Sequence, residues 1–335
     1  MIKSLVTGGA GFIGSHVAEH LLKADHEVVV LDDLSGGFME NVPAGARFVR
    51  ASILDHELIS KLFEAERFDN VYHLAAYAAE GLSHFIKRFN YNNNVVGTVN
   101  LINASVNTRV KCFIFTSSIA VYGAGQCPMT EAMTPKPEDS YGIAKYAMEM
   151  ELQASHEMFG LDYIIFRPHN VYGERQNIGD RYRNVVGIFM NQLLTGEPMT
   201  IFGDGEQQRA FSHVDDVAPI IARSPFVDAA RNSVFNVGAD VAFTVNELAS
   251  RIAVSMRRER ATMSLPARNE VKIAFSDHSR VKQVFGESSM VSLDIGIERM
   301  AKWVLKHGAR RSSRFEGIEI ETKLPPSWAA LVGPA

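Results

Sequence analysis

The sequence predicts an α/β fold: a doubly wound parallel sheet with helices on both faces, joined to a smaller α/β lobe. Three observations carry this reading. An apolar run at residues 2–6 leads into Gly8, Gly11 and Gly14 at spacing three, and a helical pattern follows. Strand-like runs recur at 2–6, 27–32, 47–51, 70–74, 110–116 and 162–166, with helical patterns between them, notably 84–107 and 139–159. After Arg167-Pro168 the alternation loosens into turn signals such as Gly203-Asp204-Gly205.

The first strand is short and β-branched, as a buried parallel strand should be. Residues 15–24 place Val17, Ala18, Leu21 and Leu22 on one helical face. Glycines between strand and helix permit a tight turn and close approach of a pyrophosphate to backbone N–H groups. Phe12 and Ile13 complete that turn, so Gly8, Gly11, Phe12, Ile13 and Gly14 are candidate dinucleotide contacts. The second strand ends in Asp32 and Asp33. A carboxylate about 20 residues after the turn accepts the ribose hydroxyls and repels a 2′-phosphate, so NAD is expected rather than NADP. This makes residues 1–169 an NAD-binding Rossmann domain. Residues 170–335 are mainly a substrate-binding lobe, with the chain crossing between lobes. Thr244 and Glu247 read as the capping box of a helix over 244–256.

At 335 residues, 46% hydrophobic and 21% charged, the chain can bury a full core. A net charge of −4 without a basic stripe argues against nucleic acid. No apolar run reaches the roughly 20 residues that span a bilayer. The chain opens directly on a strand, so no leader is expected. Two cysteines, Cys112 and Cys127, make neither a disulfide framework nor a metal site, and a reducing cytoplasm is expected. The tail after Gly308 is rich in Arg and Ser, then Pro, and reads as peripheral.

The strand at 113–118 ends in Thr116-Ser117-Ser118, at the edge where open α/β sheets hold ligands. Tyr141 and Lys145 stand at i, i+4 on a predicted helix and share a face. A phenol of ordinary pKa, about 10, is a poor base at neutral pH. A nearby ammonium stabilises the phenolate. Ser118 can hydrogen-bond the reacting oxygen. The trio beside a dinucleotide points to redox chemistry on an alcohol or ketone.

These residues resemble the extended short-chain dehydrogenase/reductases, in particular nucleotide-sugar epimerases of the UDP-glucose 4-epimerase type. The resemblance runs over nearly the whole chain, through Thr7-Gly8-Gly9-Ala10-Gly11-Phe12-Ile13-Gly14, Leu31-Asp32-Asp33-Leu34, His73-Leu74-Ala75-Ala76, Asn94-Val95-Val96-Gly97-Thr98, Ser117-Ser118, Tyr141 with Lys145, Asn170-Val171-Tyr172-Gly173 and Val214-Asp215-Asp216-Val217. It implies that Leu74, Ala75, Ala76, Asn94 and Ser117 join Tyr141 and Lys145 at the cofactor. Asn170, Arg209 and Arg268 would hold the diphosphate of a nucleotide sugar. It also implies a homodimer built on helices near 84–107 and 139–159.

Within that family, 4,6-dehydratases carry an Asp-Glu pair where this chain has Ile119 and Ala120. Decarboxylases place a glutamate, and GDP-sugar enzymes a cysteine, at the position of Ala120. The resemblance therefore implies 4-epimerisation of UDP-glucose and UDP-galactose, or of the N-acetylhexosamine pair. A 4-dehydrogenase or 4-ketoreductase, an epimerase acting on UDP-glucuronate or a GDP-sugar, and a non-catalytic dinucleotide sensor stay open. Departures are Ser52 in place of an adenine-contacting aspartate, Ala210 after Arg209, and the loop Tyr77–Phe85. That loop should border the sugar, with Tyr77 and Glu80 as candidate contacts; Glu80 and His84 read as polar sugar contacts, extra acid or base groups, or packing and solvent-facing residues. A small residue, Ala274, aligns near the gate beside the sugar 2-substituent.

Overall fold

The computed structural model describes residues 1–125, 127–267, 271–287, 289–311, 315, 317–325 and 328. Seven strands form the main sheet: β1 (Lys3–Thr7), β2 (Glu27–Asp32), β3 (Arg47–Arg50), β4 (Asn70–His73), β5 (Cys112–Thr116), β6 (Tyr163–Pro168) and β7 (Ser233–Val237). Their spatial order is β7-β6-β5-β4-β1-β2-β3, and every pair is parallel. The doubly wound expectation is met. Strand order reverses beside β1, and such a switch point opens a crevice at the carboxyl ends of the strands.

The period-2 alternation of strand side chains builds two cores. Val6, Val30, Tyr72, Ile114 and Ile164 point to one face. There they meet Val17, Ala18 and Leu21 of α1 (Phe12–Lys23) and Val217 and Ile221 of the helix Val214–Arg223. Leu5, Val29, Leu31, Val71, Phe113 and Phe115 point to the other face. They pack on Ile59 and Phe63 of α2 (His56–Glu66), Leu101 of α3 (Gly97–Thr108), and Met148 and Leu152 of α4 (Ser140–Phe159). β7 returns to this sheet from beyond residue 170. A separate core unites Phe189, Met190, Leu248, Ile252, Ile297 and Met300 from α5 (Val185–Thr195), α6 (Val245–Ser255) and α7 (Leu293–His307).

The helix expected over 84–107 is a continuous helical run over 87–108 that includes a π-turn segment, Asn92–Val96, between Lys87–Tyr91 and α3. Asparagine side chains compete for the backbone there. Asn94 donates to Asn90 Oδ1 (2.8 Å) and clamps both polar backbone groups of Tyr77, at 3.0 and 3.2 Å. One other expectation needs correction. The tail is not peripheral: its described residues Phe315, Ile318, Leu324 and Trp328 pack with Tyr77, Leu82, Phe85 and Phe89. Among the described residues no helix is long and apolar enough to cross a membrane, and no group of His, Cys, Asp and Glu could hold a metal.

Candidate active site

A cleft of about 2140 Å³ opens at the carboxyl ends of β1, β2, β4 and β5. Gly8, Gly11, Phe12, Ile13, Gly14, Asp32, Asp33, Leu74, Ala75, Ala76 and Ser117 all line it. The glycine turn is packed as tightly as its spacing implied. Gly8 has φ +69, and a Cβ there would lie 2.7 Å from Ala75 N. A Cβ on Gly14 would lie 2.2 Å from Gly8 O. No side chain caps the first turn of α1, so its N–H groups remain for a ligand phosphate.

Asp32 is buried at the end of β2. Its carboxylate accepts from the amides of Ala10 (3.1 Å) and Leu34 (2.8 Å). Burial raises its pKa, and these hydrogen bonds oppose the rise. The carboxylate thus braces the glycine turn at the place where a ribose would meet it. Asp33 is exposed and accepts from Ser35 N at 2.8 Å. A cradle without Cβ atoms, an uncapped helix start and a carboxylate at the second strand fit a dinucleotide without a 2′-phosphate. Asn94 differs from its expected placement. It does not line the cleft, and its side chain positions Tyr77 instead.

Ser118, Tyr141 and Lys145 converge on the same cleft. Asp139 caps α4 by accepting from Gly142 N (2.9 Å), and the Tyr141 amide donates to Ser83 Oγ (3.1 Å). The Ser118 side chain faces the Tyr141 phenol, and its Oγ accepts from Ala120 N (3.1 Å). Burial, then the charge of Glu80, pushes the phenol pKa up, and the Ser118 side chain opposes that. Lys145 Nζ donates to Thr116 O (2.8 Å) and lies 5.8 Å from the Tyr141 ring centre. Burial lowers its pKa to about 7, with the charge of Glu149 opposing. Burial thus favours the neutral form of both the phenol and the lysine. A cationic cofactor ring and a substrate hydroxyl would both favour the phenolate.

Behind this trio lies a buried polar chain that sequence reasoning missed. Glu149 accepts from Ser117 Oγ (2.5 Å) and from Arg167 Nε (2.9 Å) and Nη2 (2.5 Å). Arg167 also donates to the Tyr122 hydroxyl (2.7 Å), which donates to Asn236 Oδ1 (2.8 Å). The helical stripe Tyr141, Lys145, Glu149 at spacing four was the available signal.

On the substrate side, Asn170, Arg209, Tyr77, Glu80, His84, Ala120 and Ala274 line the cleft. Asn170 Nδ2 donates to Ala210 O (3.1 Å), while Arg209 donates to the carbonyls of Gln208 (2.8 Å) and Val271 (2.5 Å). Arg268 lies outside the described residues. Arg183 was not anticipated. It pairs with Asp180 (2.5 Å) and stacks over Tyr77, 4.8 Å from the ring centre.

Residues 4–238 match the model of the NAD dependent epimerase/dehydratase family. The chain belongs to this family. A UDP-glucose 4-epimerase of Mycolicibacterium smegmatis is 34% identical over 310 residues, 90% of this chain and 98% of that protein. The crystal structure of a UDP-glucose 4-epimerase from Thermotoga maritima, with UDP-glucose, is similar at TM-score 0.86 and 36% identity, over 91% of this chain and 99% of that one. A Thermus thermophilus UDP-glucose 4-epimerase complexed with NAD gives TM-score 0.83 at 30% identity, over 90% and 98%. The expectations of an NAD-dependent epimerase, with NAD as cofactor and a nucleotide sugar as substrate class, are borne out. Which sugar is turned over is a separate matter.

Proposed function

We propose that the protein interconverts the C4 epimers of a UDP-hexose, UDP-glucose and UDP-galactose first among them. The carrying observation is the convergence of Tyr141, Ser118 and Lys145 on the cleft, with Ile119 and Ala120 as the next cleft-lining residues along. Alanine can neither donate nor accept a proton, so water loss and decarboxylation lack a group that they need. UDP-glucose 4-epimerases are among the relatives that match over nine-tenths of the chain, which supports this reading.

In this reading Tyr141 takes the proton of the sugar 4-hydroxyl, and Ser118 holds that oxygen. Lys145, kept in place by Thr116 O, stabilises the phenolate with its ammonium. The Gly8–Gly14 turn and Asp32 would hold NAD, which when bound would supply a reversible hydride acceptor for C4. Tyr141 then returns the proton once the keto sugar has turned its other face. Asn170 and Arg209 keep the diphosphate anchored meanwhile. Arginine suits this because its planar fork meets two phosphate oxygens. Tyr77 and Glu80 border the sugar. Ala274, packed with Ile119 and Tyr122, leaves room for an N-acetyl group.

The same reading includes a cytoplasmic homodimer. Val96 (46% exposed), Ile143 (43%) and Met150 (57%) leave apolar surface on the elements expected to pair. Light scattering at twice the chain mass would support it, and a monomer would sink it.

The deciding test is proton NMR of the purified protein with UDP-glucose and no added NAD. Appearance of the UDP-galactose anomeric signal supports the reading. No conversion of UDP-glucose, UDP-N-acetylglucosamine or their epimers overturns it.

A further inference from the structure

Three segments outside the catalytic trio meet along the cleft: the stretch 77–89, Tyr182-Arg183, and the chain beyond α7. Their apolar side chains form a cluster of their own. The Phe315 ring lies 5.3 Å from Tyr77 and 4.9 Å from Phe89, centre to centre. Trp328, only 5% exposed, stands edge-on to Tyr182 (5.4 Å) and Phe85 (6.1 Å).

Polar bonds fasten the same junction. The amide of Glu319 donates to Phe85 O (2.8 Å). Its carboxylate accepts from the amides of Arg88 (2.8 Å) and Phe89 (2.9 Å), and so caps the helix Lys87–Tyr91. Upstream, Arg310 exchanges two 3.0 Å hydrogen bonds with the Asn191 side chain on α5. Its guanidinium pairs with Glu40 and stacks on Phe38, in the loop after β2. The tail therefore leaves the substrate lobe, touches the Rossmann domain, and is tied to the stretch that bonds the Tyr141 amide through Ser83. Phe315, Ile320, Lys323 and Trp328 all line the cleft.

We propose that the described tail residues that line the cleft, Phe315, Ile320, Lys323 and Trp328, form the outer wall of the sugar subsite, and that they keep the oxidised sugar from leaving while that sugar turns. The proposal rests on the 4-epimerase reading. A keto sugar that turns must break its directional contacts, and at that moment it can also depart. Aromatic faces exclude water and block the exit without hydrogen bonds that would resist rotation. An escape leaves the C4 hydride on the nicotinamide and the hydroxyl proton on the enzyme, while the ketone goes to solution. Each escape thus costs the enzyme its working redox state.

The test compares the full-length holoenzyme with Trp328→Ala and Glu319→Ala. Escaped ketone is trapped by borodeuteride and counted by mass spectrometry per epimerisation event. Amide exchange at Arg88 and Phe89 is followed separately. Expected are at least tenfold more trapped ketone in Trp328→Ala, and at least tenfold faster exchange of the two amides in Glu319→Ala. Phe315→Leu, a milder change, serves if either variant does not fold, and should raise ketone escape in the same direction. Trapped ketone at the wild-type level in every folded variant overturns the wall. A wild-type enzyme that epimerises no UDP-hexose instead overturns the 4-epimerase reading, and the wall with it, before any variant is compared.

Discussion

Ser117 and Glu149 are joined by a 2.5 Å hydrogen bond, in which the hydroxyl at the end of β5 donates to a buried carboxylate on α4. The bond ties the strand that carries Ser118 to the helix that carries Tyr141 and Lys145. Glu149 also faces Lys145 one turn away, and its charge opposes the effect of burial on that lysine. We read Glu149 as a positioning residue that acts through Lys145. Tyr141 and the buried His73 also lie against this lysine, and Arg167 stands behind Glu149.

The pH profile follows from the sign of that coupling. Burial places Lys145 near 7, so its ammonium is present below that value and lost above it. Glu149→Gln keeps the shape and removes the opposing charge, which lowers the lysine further. Activity that needs the ammonium should then fail at lower pH, with the alkaline limb of kcat/KM moving down by about one unit. An unmoved limb would leave Glu149 with a structural role only.

Tyr141→Phe should retain NAD and lose turnover by about 10²–10⁴-fold, the usual share of a general acid–base group. Cofactor content after purification and the initial rate on UDP-glucose give the two readouts. Near-normal turnover would remove the tyrosine from the chemistry.

Gly14→Ala should lose the cofactor. Its Cβ would sit 2.2 Å from Gly8 O, a backbone atom that cannot yield without opening the turn. Absorbance of nucleotide released on denaturation should fall well below one equivalent, and full occupancy would contradict the packing argument.

Arg167→Leu should destabilise the fold by about 3–5 kcal/mol, because it leaves the Glu149 carboxylate buried without its partner. The double variant Arg167→Leu/Glu149→Leu should recover part of that loss. Urea unfolding of the wild type, the double variant and both single variants, Glu149→Leu included, measures the coupling.

The glycine turn, the acid ending β2 and the Tyr141–Lys145 pair were legible because each follows from a short spacing. Such spacings act through the backbone within one or two turns. The placement of Asn94 was not legible, because a π-turn segment rotates its side chain from the expected direction onto Tyr77. The loop Tyr77–Phe85 looked anomalous in isolation, since the residues that explain it, Phe315, Glu319 and Trp328, lie more than 200 positions away.

The sequence by itself determined the doubly wound sheet, the strand-end cleft, the cofactor class and the three side chains, Ser118, Tyr141 and Lys145, that meet there, since hydrophobic periodicity and glycine spacing are local consequences of strand and helix geometry. Only the tertiary structure decided that Glu149 links Ser117 to Lys145 and that the tail packs against the stretch 77–89 at the cleft. Those contacts join segments with no shared period. Their formation depends on which buried polar groups and aromatic faces the completed fold brings within reach.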